Sequence, residues 1–170
     1  MPQTPFDRLP DHARLWVFAA SRPLTETEQG QLLNQVDAFQ RDWAAHGAPL
    51  TSGRDLRHGR FLLVAVDERA AGVSGCSIDA LTRGLRALEQ ELGVELLNNG
   101  PVLYRDSGGI RRVSRPEFHR LAESGQVTPE TTVFDNTVAT VGGVRSGRWE
   151  GPAARAWHGR VFFGDVRHDA

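Results

Sequence analysis

Phe61-Leu-Leu-Val-Ala-Val66 sets six apolar residues in succession, stopped by Asp67-Glu68. A strand with one wet face alternates apolar and polar residues, so a run without alternation predicts a strand covered on both faces, as in a parallel pair. Such a strand demands layers on either side of its sheet. The run is far short of the ~20 residues of a membrane span, and no longer one occurs. The polar, proline-broken start from Met1 to Asp11 does not read as a signal peptide.

The elements before and after this strand follow from local signals. Arg14-Leu-Trp-Val-Phe-Ala19 reads as a buried strand. Thr25-Glu-Thr-Glu28 is a capping box, and Leu32, Val36, Phe39 and Trp43 then form one apolar helical stripe running to about Ala45. Ala48 to Gly59 reads as a polar loop. Beyond Val66 the loop Arg69 to Cys76 leads into a helix capped by Ser77, with Ile78, Leu81, Leu85, Leu88 and Leu92 inward and Gly93 as its stop. The order is β-α-β-α, with a right-handed crossover between parallel strands.

The remainder changes character at Asn98-Asn-Gly-Pro101. Val102-Leu-Tyr-Arg105 and Ile110-Arg-Arg-Val113 flank Asp106-Ser-Gly-Gly109, a hairpin signal. Ser114-Arg-Pro-Glu117 reads as a second capping box, before a short helix with Phe118 and Leu121 inward. Thr131 to Phe134, Thr137 to Val141, a glycine-rich stretch and a closing strand near Val161-Phe-Phe163 follow. The expected class is α+β with α/β character: an N-terminal β-α-β-α layer domain over residues 10–98 and a small α+β unit over 101–165.

Composition limits the chemistry. The 20 basic residues, all arginine, nearly balance 21 acids, for a net charge of −1. This is not the charge footprint of a general nucleic-acid binder. The absence of lysine excludes a P-loop ATPase, a lysine Schiff base and a lysine general base. A single cysteine cannot form an internal disulfide and suits a reducing cytoplasm. No cofactor is expected.

Cys76 stands in a Gly-x-x-Gly loop directly before a helix. The first helical amides favour an anion there and would lower a thiol pKa. Arg22, past the end of the first strand, is expected to reach the same sheet edge and, with Ser74, Gly75 and Ser77, to hold a small anionic ligand. Asp67, Glu68 and Asp79 oppose both, and a small packed cysteine is the plainer reading. Cys76 to Arg83 is C-x6-R, one residue beyond the C-x5-R of phosphatase loops. For a Cys–His dyad, the parallel topology places His46 and His58 at the wrong edge and leaves His158 as the candidate base. The three His-Gly pairs at 46, 58 and 158 lack zinc-ligand spacing, and Asp67, Glu68 and Asp79 as a magnesium site compete with ordinary arginine pairing, so no metal is assigned. Tyr104, Trp149 and Trp157 are candidates for a partner-binding aromatic patch. The two tryptophans serve equally as a latch holding the tail to the first domain. Arg111, Arg112 and Arg115 read as a solvated face.

Val102-Leu-Tyr-Arg-Asp106, Val113-Ser-Arg-Pro-Glu-Phe118, Leu121-Ala-Glu-Ser-Gly125 and Gln126 to Phe134 together resemble a bacterial GYF-like domain over about 40 residues. GYF domains bind proline-rich peptides on an aromatic surface, so the resemblance implies a peptide or protein partner for this unit. Where that family usually has Gly-Pro before the helix, this chain has Arg112-Val113. As a whole, through Trp43-Ala-Ala-His-Gly47, Val66-Asp-Glu68, Ser74-Gly-Cys-Ser-Ile-Asp79 and Ala156-Trp-His158, the chain is similar to a family of bacterial proteins often labelled ABC-transporter ATPase. The family brings a pattern without a mechanism, and a lysine-free chain cannot supply the P-loop that the label requires. The expected function is a cytoplasmic binding or adaptor protein. The alternative is a thiol-dependent enzyme acting on an acyl or phosphoryl substrate, with Cys76 as nucleophile and His158 as base.

Overall fold

The computed structural model describes residues 4–45, 48–69 and 77–164. The chain is α+β and divides into two compact units, Met1–Asn98 with Ala139–Gly142, and Asn99–Val138 with Gly143–Ala170. No helix among the described residues is long and apolar enough to cross a membrane.

The first unit contains β1 (Arg14–Ala19), α1 (Glu26–Arg41), a two-residue ribbon of β2 (Ala44–Ala45) and β3 (Ala48–Pro49), β4 (Thr51–Arg57), β5 (Phe61–Asp67) and α2 (Asp79–Leu92). Its main sheet has the order β1-β5-β4, and β5 runs antiparallel to both neighbours. The expected parallel pair is therefore wrong. The missed strand is β4, whose Thr-Ser-Gly-Arg-Asp-Leu-Arg sequence looks like loop. It turns into β5 through His58, Gly59 and Arg60, with His58 and Gly59 at positive φ (56° and 65°). The Arg60 amide closes the turn on the Arg57 carbonyl (3.1 Å), and positive φ at both central residues gives it a twist that suits its strands.

The absence of alternation in β5 has its expected cause, burial on both faces. Leu62, Val64 and Val66 join a core with Leu32 and Val36 of α1 and Leu81, Leu85 and Leu88 of α2. Phe61, Leu63 and Ala65, on the other face, are equally buried. The N-terminal segment lies against β4, with the Thr4 amide donating to the Ser52 carbonyl. A Cβ at Gly53 would collide with the Thr4 carbonyl oxygen. The reciprocal capping box of Thr25 and Glu28 starts α1, and Gly93 in the left-handed region ends α2.

The second unit contains β6 (Val102–Asp106), β7 (Gly109–Val113), α3 (Arg115–Glu123), β8 (Thr132–Phe134), α4 (Val141–Arg145, which begins in the first unit), β9 (Glu150–Pro152) and α5 (Trp157–Phe163). Its antiparallel sheet has the order β7-β6-β8-β9, with Tyr104 opposite Val133 and Val133 opposite Gly151. Ser114 caps α3 by accepting from the Glu117 amide, but Glu117 turns its carboxylate to Arg120, so only half of the second box forms.

The closing strand near Val161-Phe-Phe163 is a helix. Propensity favours a strand there, but tertiary packing decides otherwise. Phe162 and Phe163 both lie on Phe118, with ring centroids 4.8 and 6.3 Å away, while Val161 is 56% exposed. Gly159 permits this seating, because a Cβ there would come within 2.7 Å of the Ala153 carbonyl oxygen.

Candidate functional site

Ser74, Gly75 and Cys76, like His46, lie outside the described residues. Ser77, at the outgoing end of β5, is placed: its carbonyl accepts from the Trp43 indole (3.1 Å) and its hydroxyl from the Asp79 amide (3.2 Å). Arg22 does not share that edge. It follows Ala19, which pairs with Phe61 at the incoming end of β5. The expectation that Arg22 meets the Ser74–Ser77 loop assumed parallel strands; antiparallel pairing sends Arg22 and Ser77 to opposite ends of the sheet. Arg22 instead forms a two-pronged bond to Glu28 (2.8 Å on each prong) and donates to the Leu92 carbonyl, tying the start of α1 to the end of α2. The Arg22 hydrogen bond is the main cause holding the Glu28 carboxyl down at about 2.

At the outgoing end the acids are also engaged. His12 Nε2 lies 3.0 Å from Asp67, and Arg14 lies 3.6 Å from Glu68 while covering the Trp16 ring. The magnesium reading of Asp67 and Glu68 thus meets the pairing that competed with it. No cluster of three His, Cys, Asp or Glu among the described residues is placed to hold a metal ion.

In the second unit, Tyr104 and Trp149 are interior residues, 7% and 2% exposed, so the two rings do not form a surface patch. Tyr104 packs edge-on against Phe118, and burial raises its hydroxyl pKa. Trp149 packs against Phe134 and donates its indole hydrogen to Asn136 (2.9 Å), a contact within its own unit. Trp157 is half-buried, with the Arg115 guanidinium 4.7 Å from its ring centre and the His158 imidazole stacked at 3.9 Å.

His158 is 1% exposed, and its Nδ1 has no hydrogen-bond partner among the described residues. Burial pushes its pKa down to about 4; the Arg115 charge adds to that and Asp135 opposes it. The imidazole is neutral in neutral water. It borders a small cavity of about 160 Å³ with Asn99, Pro101, Arg115, Asn136 and Trp157 among its walls.

A larger cleft of this unit was not foreseen. It encloses about 760 Å³ where Asp135 and Thr137, the Ser146–Arg148 turn, residues 154–157, Gly159 and Arg160 face one another, with Trp157 in the wall it shares with the His158 cavity. Three exposed arginines line it, Arg148, Arg155 and Arg160. The available sequence signal was charge bookkeeping over a short window: residues 143–164 hold four arginines and one acid, Glu150. Its carboxylate is bonded to Arg105 of β6 (2.7 Å). No family model, curated protein or solved structure matches the chain.

Proposed function

We propose that the chain is a cytoplasmic binding protein whose C-terminal unit takes a peptide or protein partner in the cleft beside α5. The observation that carries this reading is the cleft itself: about 760 Å³, the size of a ligand site, walled by Trp157, Val138, Ala154 and Ala156 as well as polar groups. The resemblance of residues 102–134 to a bacterial GYF-like unit points the same way, with Trp157 as the aromatic element in place of Tyr104 and Trp149. The single cysteine suits the reducing compartment.

The thiol-enzyme alternative is the weaker reading because of its base. An imidazole held at about 4 draws a proton poorly from a thiol of ordinary pKa ~8.5. An array of ten-residue peptides of varied charge, probed with the intact protein and with Ala154→Trp, tests the binding reading. Ala154 is exposed on the cleft wall, so the tryptophan fills the cleft from outside the core. Peptides retained by the wild-type protein and lost by the equally stable variant support the cleft. Identical spot patterns from the two proteins, or no binding at all, overturn it.

A further inference from the structure

Resting on the cleft as the binding site, we infer that the group it recognises is a phosphoryl group. Some polar side chains in the lining are already occupied. Asp135 Oδ1 accepts from the Thr137 amide (3.0 Å) and from the Thr137 hydroxyl. The Ser146 hydroxyl donates to the Gly143 carbonyl (3.2 Å). The guanidiniums of Arg148, Arg155 and Arg160 have no hydrogen bond or ion pair among the described residues, and neither does the Trp157 indole N–H. The nitrogen donors of the lining are therefore open, and they ask for an acceptor.

Charge narrows the acceptor. Among the described residues Asp135 is the only acid in the lining, against three arginines. Like charges facing one cleft repel, and an anion that enters relieves that repulsion. A single carboxylate carries one negative charge and two oxygens. A phosphoryl monoester carries about −1.5 to −2 near neutral pH and three terminal oxygens, which suits three planar two-pronged donors approaching from different elements. Arg148 lies in the turn before β9, Arg155 in the 3-10 turn Ala153–Arg155 and Arg160 in α5, so the donors come from three separate pieces of backbone.

The test uses the full chain and three fluorescein-labelled peptides of one sequence, bearing serine, phosphoserine or glutamate at the central position, read by anisotropy at fixed salt. Phosphoserine is expected to bind at least tenfold tighter than serine and also tighter than glutamate. Arg148→Gln, Arg155→Gln and Arg160→Gln should each weaken it by about tenfold, the loss of one charge-assisted bond. Arg155→Lys, which keeps the charge but not the two-pronged geometry, should fall between. Competition separates the two sources of the group. If glycerol phosphate displaces the peptide at an inhibition constant near the peptide's own Kd, the ligand is a small phosphate ester; if it does so only at hundredfold higher concentration, the phosphate is peptide-borne. Either result supports phosphoryl recognition. Equal affinity for the serine and phosphoserine peptides, or equal binding by the three glutamine variants, overturns the inference. Ala154→Trp then tells whether the cleft reading falls with it: binding of both peptides that Ala154→Trp abolishes leaves the cleft standing, and binding it leaves intact removes both.

Discussion

In the first unit Arg22 grips Glu28, Arg54 grips Asp37 at 3.0 Å, Arg57 grips Asp55 at 2.8 Å and His12 meets Asp67. In the second, Arg148, Arg155 and Arg160 stand along a cleft without an acid partner among the described residues. Each of these first-unit cations is held by an acid, whereas the three along the cleft are not. An arginine near a sheet edge says little about ligand binding until its acid is known. Arg22 has the sequence position of an anion-binding residue and serves instead as a brace between two helices.

The ring cluster at the core of the second unit contains a buried histidine, without counterpart among the described residues of the first core, and offers the largest effects. Phe118 is fully buried and touches the rings of Tyr104, Phe162, Phe163 and His158. Phe118→Ala should destabilise the second unit by about 3–5 kcal/mol, read as lost amide protection in Val102–Asp106. Unchanged protection there would mean that this ring cluster does not hold the unit together.

Acid should act next. The His158 pKa is pushed from 6.5 to about 4 in the folded chain, so below pH 6.5 the unfolded chain binds the proton more readily. Stability from this site is intact above pH 6.5 and is lost as pH falls towards 4, by roughly 3 kcal/mol at most. His158→Phe should remove that slope. The buried core around β5 contains no histidine among the described residues, so protection in β5 should fall less over the same window. An equal slope in both units would erase the contrast.

Two smaller effects sharpen it. Thr25→Ala removes the cap of α1 and should cost about 1 kcal/mol, with faster exchange at the Glu28 and Gln29 amides. Arg54→Gln breaks a partly exposed pair and should cost roughly 0.2–1 kcal/mol. Arg155→Gln should change stability by less than about 0.5 kcal/mol in urea denaturation. A larger loss at Arg155 than at Arg54 would mean that the cleft arginines are structural after all.

Much of this protein follows from its sequence because short-range physics decides it. The capping box at Thr25, the Leu81-Leu85-Leu88 stripe and the Gly93 stop each depend on residues within a turn or two. So does the hairpin of β6 and β7, and the double-sided burial of β5 follows from its unbroken apolar run. What the tertiary structure alone decided are features that depend on partners far along the chain. Strand direction in the first sheet turned on β4, seven residues polar enough to pass as loop, and with it went the placing of Arg22 and Ser77. Val161-Phe-Phe163 has strand composition, and Phe118, more than forty residues earlier, makes it a helix. The arginine cleft arises in the same way. Arg148, Arg155 and Arg160 have no motif spacing, and their common lining exists only because β9, the 3-10 turn and α5 fold back on Asp135 and Thr137. Local sequence specifies elements, whereas open charge is a property of what the assembled elements leave unpaired.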